Sequence, residues 1–155
     1  MKTRSWTGVN QKPPPEDLTQ HHGHLVRRAM QVLNVLWDEE VSRTITSQQF
    51  AALNALYKEP NLDQSTLGRR ISLDRSTMAE VVARLCERGL TSSERDPHDG
   101  RRKTITLSAK GVRQVQQLIP RTRALADRFV ASLDEKQQAD LLRLLTEVVR
   151  ANERR

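Results

Sequence analysis

Two short helical segments separated by only Ser72 and Leu73, and followed at once by a basic hairpin, leave this chain few folds to choose from. Asp63 can cap a helix carrying Leu67 and Ile71, and Asp74 can cap a second carrying Met78, Val81, Val82 and Leu85 until Gly89 ends it. Leu67, Ile71, Leu73, Met78 and Val81 are apolar where two steeply crossing helices bury side chains, and Gly68 is small at the crossing. Residues 64–83 therefore fit a helix-turn-helix. Such a motif holds its second helix proud of the body, so that the first side chains of that helix can enter a major groove about 12 Å wide. Here those side chains are Arg75, Ser76, Thr77, Glu80 and Arg84.

The hairpin extends the same logic. Thr91 to Arg95 and Lys103 to Leu107 flank the turn-rich Asp96-Pro97-His98-Asp99-Gly100, and Thr104-Ile105-Thr106-Leu107 alternates as a half-buried strand does. Arg95, Arg101, Arg102 and Lys103 surround the tip, where they can reach phosphates or a narrow minor groove; Asp96 and Asp99 offset part of that charge, and Asp99 suits orienting a neighbouring arginine. With 26 basic against 19 acidic residues the chain carries +7, which favours a polyanionic partner. Five aromatic residues are too few for the stacking platforms that grip single strands, so double-stranded DNA is the better match. Metal and cofactor motifs are not needed for any of this.

The rest of the 155 residues reads as helix around that unit. From Leu18, the apolar positions Leu25, Ala29, Val32, Leu33 and Leu36 predict one long amphipathic helix to about Val41. Thr46 opens another with Phe50, Leu53 and Leu56, stopping near Pro60. Ser108 begins a helix through Val112, Val115, Leu118 and Ile119, within which Pro120 should produce a bend or a break. Ser132 and Glu135 are read as the capping box of a last helix through Leu141, Leu145 and Val148. Residues 1–17, with Pro13-Pro14-Pro15 and no apolar period, read as a flexible arm that Trp6 can dock. The expected fold is mainly α with a small β-hairpin wing.

No run of about 18 apolar residues occurs and the amino terminus lacks a secretory pattern, so neither membrane contact nor export is expected and the location is read as cytoplasmic. The single Cys86 cannot form an intramolecular disulfide.

These elements together resemble the MarR family of bacterial transcription regulators, over most of the chain from about Leu18 onward. The matching residues are Thr46 to Leu56, Leu67-Gly68, Asp74-Arg75-Ser76-Thr77-Met78 and Arg84-Leu85-Cys86-Glu87-Arg88-Gly89-Leu90. The wing from Arg95 to Gly111 is similar to the family's Asp-x-Arg wing followed by Leu-Thr-x-x-Gly, with Ser108 in place of the threonine. Ala79 and Pro120 depart from common family residues. The resemblance implies one domain over 18–155, with dimerisation helices in 18–42 and 109–153 and a winged helix-turn-helix in 46–108. It also implies a homodimer on a palindromic operator, with half-sites about one helical turn, roughly 34 Å, apart, and release by a small ligand.

In this resemblance group the ligand is often an aromatic acid bound where the first helix meets the DNA-binding lobe. Arg28, with His21 and His24 near the edge of the apolar arc made by Leu25, Val32 and Leu36, is then the expected partner of its carboxylate. The reading is a repressor released by an aromatic or heteroaromatic carboxylate. Two alternatives stand beside it. His21-His22-x-His24 or Cys86 can be read as a metal or redox sensor, although adjacent histidines on a helix diverge by about 100°; or the basic wings can serve a non-specific nucleoid protein. No phosphate loop, nucleophile elbow or His-Glu-x-x-His pair is present, so no enzyme activity and no cofactor are expected.

Overall fold

The computed structural model describes residues 18–95 and 103–153. The arm 1–17 and the wing tip, including Arg101 and Arg102, lie outside the described residues. A single 3-10 turn, Leu18–Gln20, precedes α1 (His22–Leu36), which runs on into a π-helical turn, Trp37–Val41. The expected unbroken helix from Leu18 is thus divided at its start, because His21 is extended and caps α1 by accepting the His24 N–H on Nδ1 at 3.4 Å. At its far end the winding loosens: the Ser42 N–H reaches back five residues to the Trp37 carbonyl.

Then follow α2 (Ser47–Lys58), β1 (Leu62–Asp63), α3 (Gln64–Arg70), α4 (Arg75–Glu87), β2 (Thr91–Arg95), β3 (Lys103–Leu107), α5 (Ala109–Phe129) and α6 (Glu135–Glu153). Local chemistry explains most of the boundaries. Thr46 and Gln49 make a reciprocal capping box at α2, while Asp63, Asp74 and Ser108 cap α3, α4 and α5. Gly89 ends α4 at φ +66, letting the Leu90 N–H reach the Leu85 carbonyl and its own N–H reach that of Cys86.

Three expectations need correction. Of the bend or break expected at Pro120, the break does not occur, since α5 continues through it; the Gln116 carbonyl that loses a proline donor belongs to an exposed turn, where water can satisfy it. The box before α6 is made by Asp134 and Gln137, not Ser132 and Glu135: each backbone N–H of that pair meets the other's side chain, at 3.0 and 2.8 Å. Finally, the hairpin gains a third strand. The sheet order is β1-β3-β2, with Leu62 opposite Ile105 and Thr91 opposite Leu107.

The core joins α2, α3, α4, the sheet and the first half of α5 through Leu53, Leu56, Leu67, Met78, Leu85, Leu90, Ile105 and Val115, all buried. Gly68 suits the close α3–α4 crossing, since a Cβ there would lie 3.1 Å from the Leu73 carbonyl oxygen, tighter than most such contacts. The π-helical turn is pinned to the lobe by the Trp37 indole N–H, which donates to the Ile45 carbonyl at 2.7 Å, and by Arg121, which donates to the Val41 carbonyl at 3.3 Å. Arg128 of α5 pairs with Glu39 and Glu40 on the same turn. By contrast, no residue of α6 is buried.

Candidate nucleic-acid interface

The second helix of the motif is built to show one face. Met78, Val81, Val82 and Leu85 are buried, and Arg75, Ser76, Ala79, Glu80, Ala83, Arg84 and Glu87 are exposed. That division follows from the apolar spacing, because positions three and four apart share a side of the helix. Arg75 and Arg84 lie nine residues apart, about 14 Å along the axis.

The amino-terminal turn of α4 is held by Asp74. Its Oδ1 accepts the backbone N–H groups of Ser76 and Thr77 at 2.9 and 3.0 Å, together with the Ser76 hydroxyl at 2.6 Å, and its Oδ2 accepts the Thr77 hydroxyl at 2.6 Å. The Ser76 hydroxyl first, then the Thr77 hydroxyl and backbone N–H, hold the Asp74 carboxyl far below the usual carboxylate range. Both hydroxyls are turned toward the cap, but Thr77 is only half-exposed, whereas Ser76 is exposed on the open face.

A cleft of about 780 Å³ runs between α3, the start of α4 and β3, and Arg75 and Lys103 both line it. The structure therefore brings together one cation from the motif and one from the wing. The sequence reading missed two further members of this lining, Thr66 and Arg69. They are linked: Arg69 donates to the Thr66 hydroxyl oxygen at 3.1 Å, and that hydroxyl donates to Asp63 Oδ2 at 2.8 Å. The signal available was the helical spacing of Asp63, Thr66 and Arg69, every third residue on the polar side of α3. Across the hairpin, Arg95 stands opposite Lys103, both exposed, so two positive charges mark the base of the wing.

The other candidates lie elsewhere. His21, His24 and Arg28 sit on or just before α1, and none of them lines the cleft. His21 is occupied as a cap, and Arg27, not Arg28, donates to His24 Nδ1 at 3.1 Å; Arg28 is exposed. Cys86 is half-buried with its sulfur 3.3 Å from the Thr91 hydroxyl. Among the described residues no three His, Cys, Asp or Glu side chains converge as a metal-binding group, and no helix is long and apolar enough to cross a membrane.

Comparison with known proteins agrees with this geometry. Residues 43–102, from before α2 to the wing, match the model of the MarR family. The crystal structure of the PcaV transcriptional regulator from Streptomyces coelicolor, in complex with its natural ligand, is 46% identical, covers 89% of this chain and 98% of its own, and superposes with a TM-score of 0.85. The transcriptional repressor NicR of Pseudomonas putida is 29% identical over 140 residues, which are 90% of this chain and 89% of the relative. The structure of Bordetella bronchiseptica BpsR, whose DNA binding is regulated by 6-hydroxynicotinic acid, is 25% identical over 82% of this chain and 97% of its own, with a TM-score of 0.76. With its helix-turn-helix, wing and flanking helices in the family's order, the chain belongs to the MarR family of DNA-binding transcription regulators.

Proposed function

We propose that the protein is a homodimeric repressor that leaves a palindromic operator when an aromatic or heteroaromatic carboxylate binds. The observation that carries the DNA half of this reading is the open face of α4 beside a cleft shared by Arg75 and Lys103. Arg75, Ser76, Thr77, Glu80 and Arg84 then address the major groove, while Arg95, Lys103 and the tip arginines 101 and 102 address backbone or minor groove. Dimerisation is supported by the apolar side chains left open on α1 and α6, such as Met30 at 53% and Leu142 at 70% exposure. In this arrangement residues 18–42 and 109–153 join two copies, and 46–108 form each DNA-binding unit.

For the effector, support comes from chemistry rather than from an assembled site. The regulated relative BpsR responds to an acid with a heteroaromatic ring, and the exposed Arg28 offers a planar fork suited to a carboxylate. To empty an operator, such an acid must bind the DNA-incompetent form more tightly than the competent one, with a coupling of about 1–3 kcal/mol.

Two measurements test the proposal. Fluorescence anisotropy at fixed salt, with a duplex selected from a random pool against an unselected one, should show tighter binding to the selected duplex; Arg75→Ala should lose about 1–3 kcal/mol on it and much less on the other. Equal affinity for both would favour the nucleoid reading. With 6-hydroxynicotinic acid and its amide as probes, the wild type should be released by the acid alone and Arg28→Ala by neither. Full response of Arg28→Ala, or equal action of the amide, removes Arg28 from the effector site.

A further inference from the structure

The hydrogen bonds at the start of α4 set the direction of two hydroxyl groups. An ionised carboxylate accepts and cannot donate, so the 2.6 Å contacts to Asp74 require Ser76 Oγ and Thr77 Oγ1 to be the donors. Asp74 is held ionised by these same hydroxyls, which stabilise its charged form. Each hydroxyl has only one proton. With that proton committed to Asp74, what remains for an incoming partner is lone pairs.

The rest of the open face has the same polarity. At about 100° per residue, the meridian opposite the buried Met78, Val81, Val82 and Leu85 passes within about 30° of Ser76, Glu80, Ala83 and Glu87, with Ala79 and Arg84 about 70° to either side. None of the side chains nearest the meridian is a cation or an amide. Arg75 and Arg84 fall on the two edges of the face, about 180° apart around the axis. The middle of the helix therefore presents oxygen acceptors, and the donors stand at its margins.

We infer that the centre of α4 selects bases carrying exocyclic amino groups, cytosine through N4 or adenine through N6, by means of Ser76 Oγ and the Glu80 carboxylate, with Asp74 as the positioning residue that sets the polarity of the serine. These amino groups are the donors that the major groove displays, whereas guanine O6 and N7 and thymine O4 are acceptors that the same oxygens repel. Phosphate oxygens are refused for the same reason, which separates this role from that of Arg75 and Arg84. The inference rests on reading α4 as the DNA-recognition helix, and it names what that helix recognises.

The test uses the full chain. Duplexes selected from a random pool define the half-site, and each adenine or cytosine in it is then replaced by purine or 2-pyrimidinone, which lack only the exocyclic amine. One or two positions per half-site should lose about two- to ten-fold in wild-type affinity, the scale of one hydrogen bond. Ser76→Ala should be insensitive to amine removal at one of them. Glu80→Gln, whose amide can donate as well as accept, should lose discrimination against guanine and thymine at another. Asp74→Gly retains a residue tolerated at a helix start but frees the Ser76 hydroxyl to turn; discrimination at the Ser76 position should then fall toward unity, while an unchanged preference would overturn the positioning role. A selected site insensitive to every amine removal, or full amine sensitivity at every position in Ser76→Ala together with undiminished discrimination against guanine and thymine in Glu80→Gln, overturns the inference while leaving sequence-specific binding intact. A pool that yields no preferred sequence overturns the DNA reading and the inference together.

Discussion

Leu85 and Leu142 occupy the same kind of place, an apolar position at helical spacing, and they meet opposite fates: Leu85 is 0% exposed and Leu142 is 70% exposed. The lobe built from α2 to the sheet closes its own core. Leu53 and Leu67 are sealed to the same degree as Leu85. The last helix covers none of its residues, and Leu144, Leu145, Val148 and Val149 stand open along roughly half of its circumference. The difference teaches that periodicity announces a face that needs covering and is silent on what covers it. In the lobe the cover lies within the chain; at the ends none of the described residues supplies it.

The widest separation of the two regions is expected from a cavity in the closed one. Leu85→Ala should cost about 2–5 kcal/mol in denaturant unfolding, and the difference from wild type should be the same at low and high protein concentration. A cost below about 1 kcal/mol would mean that the lobe packs more loosely than its burial implies. Charge placed on the open face should act on assembly instead. Leu142→Asp combined with Val148→Asp should weaken self-association at least tenfold, about 1.4 kcal/mol or more, as read by sedimentation velocity. A wild-type chain that already sediments as a monomer at micromolar concentration would break the comparison outright.

Acid sharpens it in another way. The folded-state pKa of Asp74 is depressed, so its contribution to stability is complete above the ordinary value of 3.8 and is lost progressively as the pH falls below it toward the folded value. Asp74→Asn should remove that part of the acid sensitivity. Thermal melts of the two proteins should converge as the pH drops below about 4, and parallel curves throughout would show that the carboxylate has no special bonding in the folded state.

The smallest effect belongs to a hydrogen bond that joins the two regions. Ser72, in the turn between α3 and α4, donates its hydroxyl to Glu153 near the end of α6 at 2.9 Å. Both side chains are exposed, so Glu153→Gln should change global stability by less than about 0.5 kcal/mol. Amide exchange at Leu73, whose N–H reaches the Gly68 carbonyl at 3.0 Å, should nevertheless quicken if the bond restrains the turn. Unchanged exchange would make the contact incidental.

How far the site was legible in the sequence depended on the distance over which each decision was taken. Asp63, Asp74 and Ser108 were readable as caps because each bonds an N–H no more than three residues away. Gly68 and Gly89 were readable because a close crossing and a left-handed helix end each favour a residue without a Cβ. The error at α6 was also local: Ser132 and Asp134 are both competent caps with an acceptor three residues on, and the chain leaving α5 turns once more, with the Leu133 N–H on the Val130 carbonyl, before the helix begins.

What the sequence determined by itself was the list of helices, the wing and the apolar face of each element, since helical and strand periods are properties of neighbouring residues. Tertiary structure decided the rest. A two-residue strand such as Leu62–Asp63 has no period to read and exists only because β3 offers a free edge opposite Ile105 and Thr104. Arg75 and Lys103 are 28 positions apart in sequence, and they line one cleft only because α4 packs on the core that also carries the sheet. The hydroxyl of Ser76 donates its one proton to Asp74, so only its lone pairs face outward. Sequence names the groups that can bond, but the polarity and company of each are settled when the core closes and leaves every buried or shared proton a single place to go.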